Sequence, residues 1–376
     1  MNRLLSAAIT HKSRPASLLS FVLLFFGVLF ADVAQAVDLR VAIKKQVSRL
    51  DVGSSTTAVV KDQRGQVLGE IAGLNSFSAS GGRGGVKVAN WRSSQLTIEP
   101  TGNGQIWIGD RWYRGAVQLT SQGIGVTAVN KVDLEDYLFS VVGAEAIPSW
   151  PQEALKAQAV AARTYALYKR GQAKNGLYEL DNTTSSQVYK GLDSEFDSTR
   201  LAVQATSGEI MTYGGQLILA AFHSSSGGHT ENVEDVWSKP LPYLRGVVDY
   251  DQTAPVFEWS KSISAGQVSR AIGGIGQVRS FVPVQTSPQG RVAKMKVVGT
   301  RGSKVLTGAQ IRKALDLRST LFRIQSNGGS FYVFGRGFGH GVGLSQWGAQ
   351  YLSTQGVSYQ QILAHYYQQA NISSAR

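Results

Sequence analysis

One carboxylate of this sequence, Glu145, lies in surroundings suited to acid–base chemistry. It is flanked by small and apolar residues within a turn-like segment, residues 141–150, that precedes a predicted helix. Apolar surroundings raise the pKa of a carboxyl group and favour a general acid, whereas the positive end of a nearby helix N-terminus lowers that pKa. An exposed loop glutamate that assists the helix cap fits the same spacing, so the residues alone leave both interpretations open.

A second polar segment, residues 223–232, contains two histidines that could bind a metal ion together with Asp235. His223, His229 and Asp235 are six residues apart and could bind zinc, although this spacing matches no strong metal-site signature. The serines and paired glycines of the segment would expose hydroxyls and backbone amides, which suit the binding of sugar hydroxyls. The alternative is a pair of hydrogen-bonding histidines that shape a loop.

The segment 335–349 is dense in glycine and carries hydrogen-bonding side chains. Its alternating glycines would let the backbone approach a ligand or another strand closely, and His340, Ser345, Gln346 and Trp347 add hydrogen bonds and a stacking face. The segment lacks the Lys-Ser/Thr of a phosphate-binding loop. A tight strand-to-helix corner is the alternative interpretation.

Two further signals are weaker. The run 185–191 is polar and aromatic and could line a cleft. The three serines 224–226, with His223 or His340, suggest a serine hydrolase, but the Gly-x-Ser-x-Gly motif is absent.

The strongest predicted helix, residues 151–169, must position the segments around it. Ser149 and Gln152 make a capping-box pair, Pro151 lies in the first turn, and basic residues close the last turn. Its six alanines leave few large side chains on any face, so other elements can pack closely on several sides. We therefore expect a central, buried, Ala-rich helix near the site.

Short alternating runs separated by Gly and Asn predict strands in the first third of the chain. These strands are 39–43, 57–61, 66–71, 95–98, 105–107 and 117–119, with a Gly-rich loop at 80–85. Later patterns predict helices at 194–206, 308–315 and 359–367 and strands at 209–213 and 217–222. The predicted fold class is α+β, mixed and strand-rich, with a β-rich N-terminal extension.

Composition and charge restrict the class of protein. The 376 residues are 43% hydrophobic and 17% charged, which is typical of a globular chain. There is no Cys, which excludes disulfides, thiolate catalysis and Cys-based zinc sites. The net charge of +13 comes from dispersed basic residues, so an anionic wall polymer, lipid surface or acidic glycan is a more suitable partner for an exported protein than nucleic acid. A solvated basic surface without a specific partner is the alternative.

The N-terminus predicts export. Basic residues precede an apolar run at 18–30, and Ala34-Gln35-Ala36 is typical of a signal-peptide cleavage site. The apolar run is shorter than the ~20 residues that a membrane span requires, and no later segment is long and apolar enough to be one. The predicted organisation is a signal peptide at 1–36, a β-rich region at 37–112, and a main domain at 113–376 with a β-rich subdomain at about 246–334. The mature protein is expected in the periplasm, the cell wall or the extracellular space.

Several of these segments together resemble the stage II sporulation protein D and LytB amidase-enhancer family. The most specific match is the helix motif WPQEALKAQAVAARTYA, which begins at Trp150. The other matching segments are 113–115, 129–130, 134–138, 186–191, 223–232 and 335–349. Residues 37–112 lie outside the resemblance.

The resemblance implies a lytic transglycosylase that acts on peptide-stripped glycan strands of peptidoglycan. Such enzymes cut between N-acetylmuramic acid and N-acetylglucosamine and leave a 1,6-anhydro end. The catalytic Glu of the family matches Glu145, where the usual Glu-Met-Pro is here Glu145-Ala146-Ile147-Pro148. Candidate substrate-binding residues are Lys156, Arg163, Gln187, Tyr189, His223, Ser225, His340, Ser345 and Gln346.

Two other functions stay open at this point. The LytB name implies a non-catalytic wall-binding protein that stimulates an N-acetylmuramoyl-L-alanine amidase. Some relatives bind zinc through a His and two Cys, for which His229 and Asp235 would have to substitute here beside His223. No cofactor is otherwise expected.

Overall fold

The computed structural model describes residues 37–173, 176–237 and 239–375, which form a mixed, strand-rich α+β fold, as predicted. The helices are α1 (Leu134–Glu145), α2 (Gln152–Gln172), α3 (Asp197–Ala205), α4 (Val233–Val236), α5 (Ala265–Ile272), α6 (Gly308–Ala314), α7 (Gln346–Thr354) and α8 (Tyr359–Tyr366). No helix in these ranges is both long enough and apolar enough to span a membrane. The predicted signal peptide and its cleavage site near Ala36 lie outside the described residues.

The first thirteen strands precede α3. They are β1 (Asp38–Val47), β2 (Arg49–Ser54), β3 (Ala58–Asp62), β4 (Val67–Ile71), β5 (Ser76–Gly82), β6 (Gly85–Val88), β7 (Trp91–Ser93), β8 (Gln95–Pro100), β9 (Ile106–Ile108), β10 (Arg111–Tyr113), β11 (Ala116–Gln122), β12 (Gly125–Asp133) and β13 (Leu180–Asp181).

The remaining strands form smaller sheets. They are β14 (Glu209–Tyr213), β15 (Gln216–Leu217), β16 (Phe222–His223), β17 (Glu258–Ser264), β18 (Val278–Thr286), β19 (Val292–Gly299), β20 (Gly302–Thr307), β21 (Phe322–Asn327), β22 (Ser330–Arg336), β23 (Leu344–Ser345) and β24 (Asn371–Ser374).

Two large sheets enclose the first core. One has the strand order β13-β1-β12-β11-β8-β3-β4 and the other β10-β9-β2-β5-β6-β7. Strand β1 pairs along most of its length with β12, which leads directly into α1. The predicted boundary between residues 112 and 113 falls within β10, and side chains from both sides of it share one core with α1 and α2.

Helix α2 lies between two cores, and its small residues make this possible. One stripe, with the 4-3-4 spacing of a helix face, packs into the core of the large sheets: Leu155, Ala159, Ala162 and Ala166. A second stripe packs into a core formed with α7 and α8: Ala157, Val160 and Ala161. Alanine side chains allow close approach on both faces, so α2 fixes the relative positions of the elements on either side of it.

A third core holds the segment between Trp259 and Val333 together. It is covered by α5, α6 and two three-stranded sheets, with the orders β17-β22-β21 and β18-β19-β20. Helix α5 was not predicted, although Ser264 and Gln267 form a capping box at its start. The local signal was present in the sequence, but the helix has only eight residues.

Other local predictions were wrong for identifiable reasons. Because the N-cap of α2 is Pro151, Ser149 lies too far upstream to cap the helix. The side chain of Gln152, the other member of the predicted capping box, instead donates to the Ser198 carbonyl at 3.0 Å. The predicted loop at 80–85 is instead the hairpin of β5 and β6. The predicted strand at 217–222 is divided between β15 and β16.

Candidate active site

Glu145 is the last residue of α1, not part of a loop before a helix N-terminus. The helix begins at the cap of Asp133, whose carboxylate accepts hydrogen bonds from two first-turn amides, and ends where Ala146 turns extended. Ala146 is buried and Ile147 is 43% exposed, so the longer Glu-Ala-Ile-Pro turn is accommodated at the surface. At a helix C-terminus the helix dipole disfavours a carboxylate, which is the opposite of the effect expected from the sequence.

The Glu145 carboxyl group is half-buried and has a defined partner. Its Oε1 accepts a hydrogen bond from the Val188 amide at 2.7 Å. Burial raises the pKa of Glu145 above its ordinary value, and the Val188 amide, the Gln346 side chain and the charge of Lys190 oppose that rise only in part. Burial therefore favours the protonated form of Glu145 more than in an ordinary glutamate, as the role of a general acid requires.

The Val188 amide is held in place by the residues on either side of it. Gln187 is fully buried, accepts from the Tyr137 hydroxyl at 3.1 Å and donates to the Ala162 carbonyl at 3.2 Å. Tyr189 is 1% exposed, and its hydroxyl donates to Asn130 at 2.8 Å. Neither side chain is accessible to a ligand, so the prediction that they bind substrate is wrong; they position the amide that contacts Glu145.

We expect Gln187→Met to lower kcat about tenfold, which corresponds to the ~1.4 kcal/mol scale of one buried hydrogen bond, with little change in KM. The weakened Val188 contact would also raise the pKa of Glu145, because that contact favours the carboxylate. The activity of a general acid declines as pH rises through its pKa, so this decline should move to higher pH. A pH profile of kcat measures the shift; lower thermal stability with an unmoved profile would indicate a purely structural role.

Two histidines lie side by side near Glu145, and both are held neutral. His340 accepts the Val342 amide at Nδ1 and therefore carries its proton on Nε2, which donates to the Phe222 carbonyl. Burial lowers the pKa of His340 to about 4. His223 donates from Nδ1 to the Val342 carbonyl, and burial lowers its pKa well below the ordinary value. His340 thus has both ring nitrogens occupied, whereas His223 keeps Nε2 as an acceptor with no partner among the described residues.

Pairing between distant strands brings these histidines together. Strand β16 runs parallel to β23, with Phe222 opposite Leu344 and His223 opposite Ser345. Gly339, at φ +121°, lies so close that a Cβ there would be 2.6 Å from the Cβ of His223. The glycine at this position therefore lets segment 335–349 pack against His223. The strand-to-helix corner, which was the alternative interpretation of this segment, is also present, where β23 leads into α7.

A cavity of about 740 Å³ contains Glu145 and is called the Glu145 cleft below. Its lining residues are Glu145, Tyr165, Lys169, Thr184, Ser185, Ser186, Leu219, Ala221, Phe222, His223, Ser224, Trp237, Arg312, Phe338, Gly339, His340 and Gln346. Among these lining residues Glu145 has the only carboxyl group, whereas Lys169 and Arg312 are basic. The cleft is therefore a polar, basic site with one acid.

Four of the predicted site residues reach the cleft: Glu145, His223, His340 and Gln346. The predictions missed Tyr165, Lys169, Trp237, Arg312 and Phe338. Tyr165 and Lys169 are four residues apart on α2 and share a face, which a helical projection could have shown. Arg312 comes from α6, far away in the chain, and no local pattern indicates its position.

Lys156 and Arg163 are not lining residues of the cleft. Lys156 pairs with Glu153 at 2.8 Å and lies over the Tyr359 ring. The Arg163 side chain is wholly buried and forms a bidentate pair with Glu135. The predicted role of Arg163 in binding substrate is therefore wrong, whereas that of the partly exposed Lys156 stays a prediction.

The two predicted serines also serve the fold. Ser225 is fully buried, and its hydroxyl donates to Asp251. Ser345 caps α7 and is likewise buried. Neither hydroxyl bonds to a histidine, so the structure assembles no serine–histidine pair from these residues.

The three possible zinc ligands do not converge. A ring nitrogen of His229 bonds to the neighbouring Thr230 carbonyl, and Asp235 accepts from Asn232. In the described ranges no group of three His, Cys, Asp or Glu side chains is arranged to hold a metal ion. His223, His229 and Asp235 therefore do not fit zinc.

Comparison with known proteins finds two family models and several relatives that are similar to this chain. Residues 122–213 match a family model described as stage II sporulation protein, and residues 248–343 match one described as a domain of unknown function. An uncharacterised protein of Brachyspira hyodysenteriae is 34% identical over 268 residues, which span 69% of this chain and 72% of that protein. Stage II sporulation protein D of Bacillus subtilis is 35% identical over 268 residues, spanning 66% of this chain and 76% of that protein. The amidase enhancer of Bacillus subtilis is 30% identical over 297 residues, but the match spans only 40% of that protein.

Proposed function

This chain belongs to the stage II sporulation protein D and amidase-enhancer family, whose function is related to the cell wall, and we propose that it cleaves peptidoglycan glycan strands as a lytic transglycosylase. The observation that carries the proposal is the Glu145 cleft, in which one carboxyl group with a raised pKa lies among hydroxyl, amide and basic side chains. The substrate class is the peptide-stripped strand of alternating N-acetylmuramic acid and N-acetylglucosamine. Because this polymer lies outside the inner membrane, export is part of the proposal.

A single carboxyl group is sufficient for this reaction. Protonated Glu145 donates its proton to the glycosidic oxygen as the bond from that oxygen to C1 of the muramic acid breaks and positive charge develops at C1. The resulting carboxylate then takes the proton of the 6-hydroxyl of the same sugar, whose oxygen attacks C1. The Glu145 proton is restored, and no water and no second carboxylate take part. The products together contain the same atoms as the substrate.

Neighbouring side chains support each stage. The Val188 amide and the Gln346 side chain hold the carboxyl group and stabilise its charged form between the two proton transfers. His223 lines the cleft, and its buried Nε2 has no hydrogen-bond partner among the described residues. Trp237 and Phe338 offer apolar ring surface to sugar rings, and Lys169 and Arg312 attract the acidic polymer.

The direct test is the mass of the products. Purified protein is incubated with peptide-free glycan strands, and we expect fragments whose new muramic acid ends carry a 1,6-anhydro ring. Since intramolecular attack adds no water, each such fragment is one water lighter than the corresponding hydrolysis product. Products that have gained a water would overturn the transglycosylase assignment and indicate a hydrolase.

A second function is favoured by the similarity to the amidase enhancer. In this alternative the protein binds the wall without cutting it and stimulates an N-acetylmuramoyl-L-alanine amidase. The same incubation distinguishes the two, if amidase turnover is measured with and without the protein. Glycan binding and faster amidase turnover, without any cleaved glycan, would support the enhancer in place of the enzyme.

A further inference from the structure

A groove leads away from the Glu145 cleft across the region that matches a domain of unknown function. Phe338 lines both the cleft and an adjoining cavity of about 380 Å³. Trp259 and Ser260 line that second cavity and also a third one of about 740 Å³. Neighbouring cavities thus share lining residues, and we call the second and third together the groove; its lining comes from β17, β21, β22 and the segment 316–318.

One face of the β17-β22-β21 sheet borders the groove. Ser260, Phe334 and Arg323 lie opposite one another across its three strands. Neighbouring Val333 is fully buried in the core beneath, so the alternation of the strand directs Phe334 to the open side, where it is 37% exposed. Three residues of β17 and three of β22 line the larger cavity, 258–260 and 334–336, which is ~10 Å of strand. The groove therefore offers an aromatic surface for a short stretch of sugar rings.

Positive charge follows the same path. Arg318, Arg323 and Arg336 are exposed lining residues, and none forms an ion pair within the ranges that the structure describes. The Arg323 guanidinium lies over the Phe334 ring, 5.2 Å from its centre, so this cation is held against one face of the ring.

The carboxylates of the groove do not cancel this charge. Asp316 is paired with Lys261 at 3.1 Å. Glu258, which lies opposite Arg336 in the strand register, is the remaining acid among the lining residues. The groove thus has three arginines that form no ion pair with the described residues, and one glutamate opposes them. Its net charge is positive, which suits a polyanion.

We propose that this groove binds the uncut part of a peptide-free glycan strand, with its arginines pairing with lactyl carboxylates and Phe334 and Phe338 stacking on sugar rings. Each muramic acid carries a lactyl group whose carboxylate is free only after the stem peptide is removed; on an intact strand it is an amide. Arginine binds a carboxylate through two parallel hydrogen bonds. The groove thus supplies a physical reason for choosing stripped strands, and the inference rests on the proposed function of the cleft.

The test measures binding in a background that cannot cut. Glu145→Gln protein, with and without Arg323→Gln and Arg336→Gln, is titrated with purified peptide-free strands of at least eight sugars. We expect the two arginine substitutions to weaken binding at least tenfold, and this difference to shrink as salt is raised, because exposed charges are screened. Neutral chitin oligomers of the same length should bind both proteins equally.

A matched control removes the same charge elsewhere. Arg279 and Arg301 are exposed arginines in β18 and in the turn between β19 and β20 of the other three-stranded sheet, so their replacement by Gln in the same background should leave binding unchanged. If the variant with both control substitutions loses as much affinity as the variant with both groove substitutions, the effect is one of net charge and the groove proposal is overturned. The proposal is also overturned if the groove substitutions weaken chitin binding as much as they weaken binding of the peptide-free strand. Binding is measured without turnover, so the two proposals can fail separately. If the protein prefers long stripped strands but the wild type never cuts them, the proposed enzyme activity is refuted and the proposed groove is retained.

Discussion

Replacing Glu145 with Gln is expected to lower the release of 1,6-anhydro products about 100- to 10,000-fold, which is the range contributed by a positioned general acid. Glutamine preserves the shape of the side chain but has no proton of suitable acidity for the leaving oxygen. Affinity for peptide-free glycan should be retained, since the groove and the rest of the cleft are unchanged. Product analysis by mass spectrometry, together with a binding titration, measures both quantities.

Stability provides the internal control for this variant. The pKa of Glu145 is higher in the folded protein than in the unfolded chain, so the folded state binds more protons between the two pKa values and loses stability as pH rises through that window. The neutral amide of the Glu145→Gln variant removes this penalty, and the variant should unfold at the same or a higher temperature at pH 7. Loss of activity accompanied by a clear fall in melting temperature would mean that the substitution acted through the fold.

A second carboxylate variant shows whether the effect is specific. Glu70 is exposed on β4 in the first core region and has no place in the cleft. Glu70→Gln makes the same Glu-to-Gln replacement at an exposed position and should leave product release unaltered. Comparable losses in the two variants would contradict a catalytic role for Glu145.

Replacing Arg163 with Met is expected to lower the free energy of unfolding by about 3–5 kcal/mol, the range measured when one partner of a buried ion pair is removed. Arg163 forms two 2.7 Å hydrogen bonds to the Glu135 carboxylate, which links α2 to α1. It also donates to the Glu209 and Val203 carbonyls at 3.2 Å. Methionine fills similar space but leaves these acceptors without their donor. Urea denaturation at neutral pH measures the loss.

The partner substitution tests the cause of that loss. In the variant carrying both Arg163→Met and Glu135→Gln, no uncompensated carboxylate remains, so part of the stability should return. The side chain of Glu135 is 29% exposed, so water can hydrate its carboxylate when Arg163 is replaced. The expected loss of unfolding free energy for Arg163→Met is therefore toward the lower end of the range given above. A folded, fully stable Arg163→Met protein with weakened glycan binding would instead restore the substrate-binding role inferred from the sequence.

The sequence by itself determined the features that depend on local patterns. The alanine spacing and basic end of α2 identified a long helix, alternation identified most strands of the first sheets, and distinctive segments singled out Glu145 and its family. Such signals can be read from the sequence because helix and strand periodicities and turn residues act over a few positions.

Only the tertiary structure decided what surrounds Glu145. It placed this residue at the end of α1, against an amide of Val188 that Gln187 and Tyr189 hold, and it buried Arg163 away from the cleft. A polar residue within a distinctive motif looks the same in sequence whether it contacts a ligand or a distant buried partner. Burial, protonation state and backbone hydrogen bonds arise from contacts between segments far apart in the chain, and these contacts leave no local trace in the order of the residues.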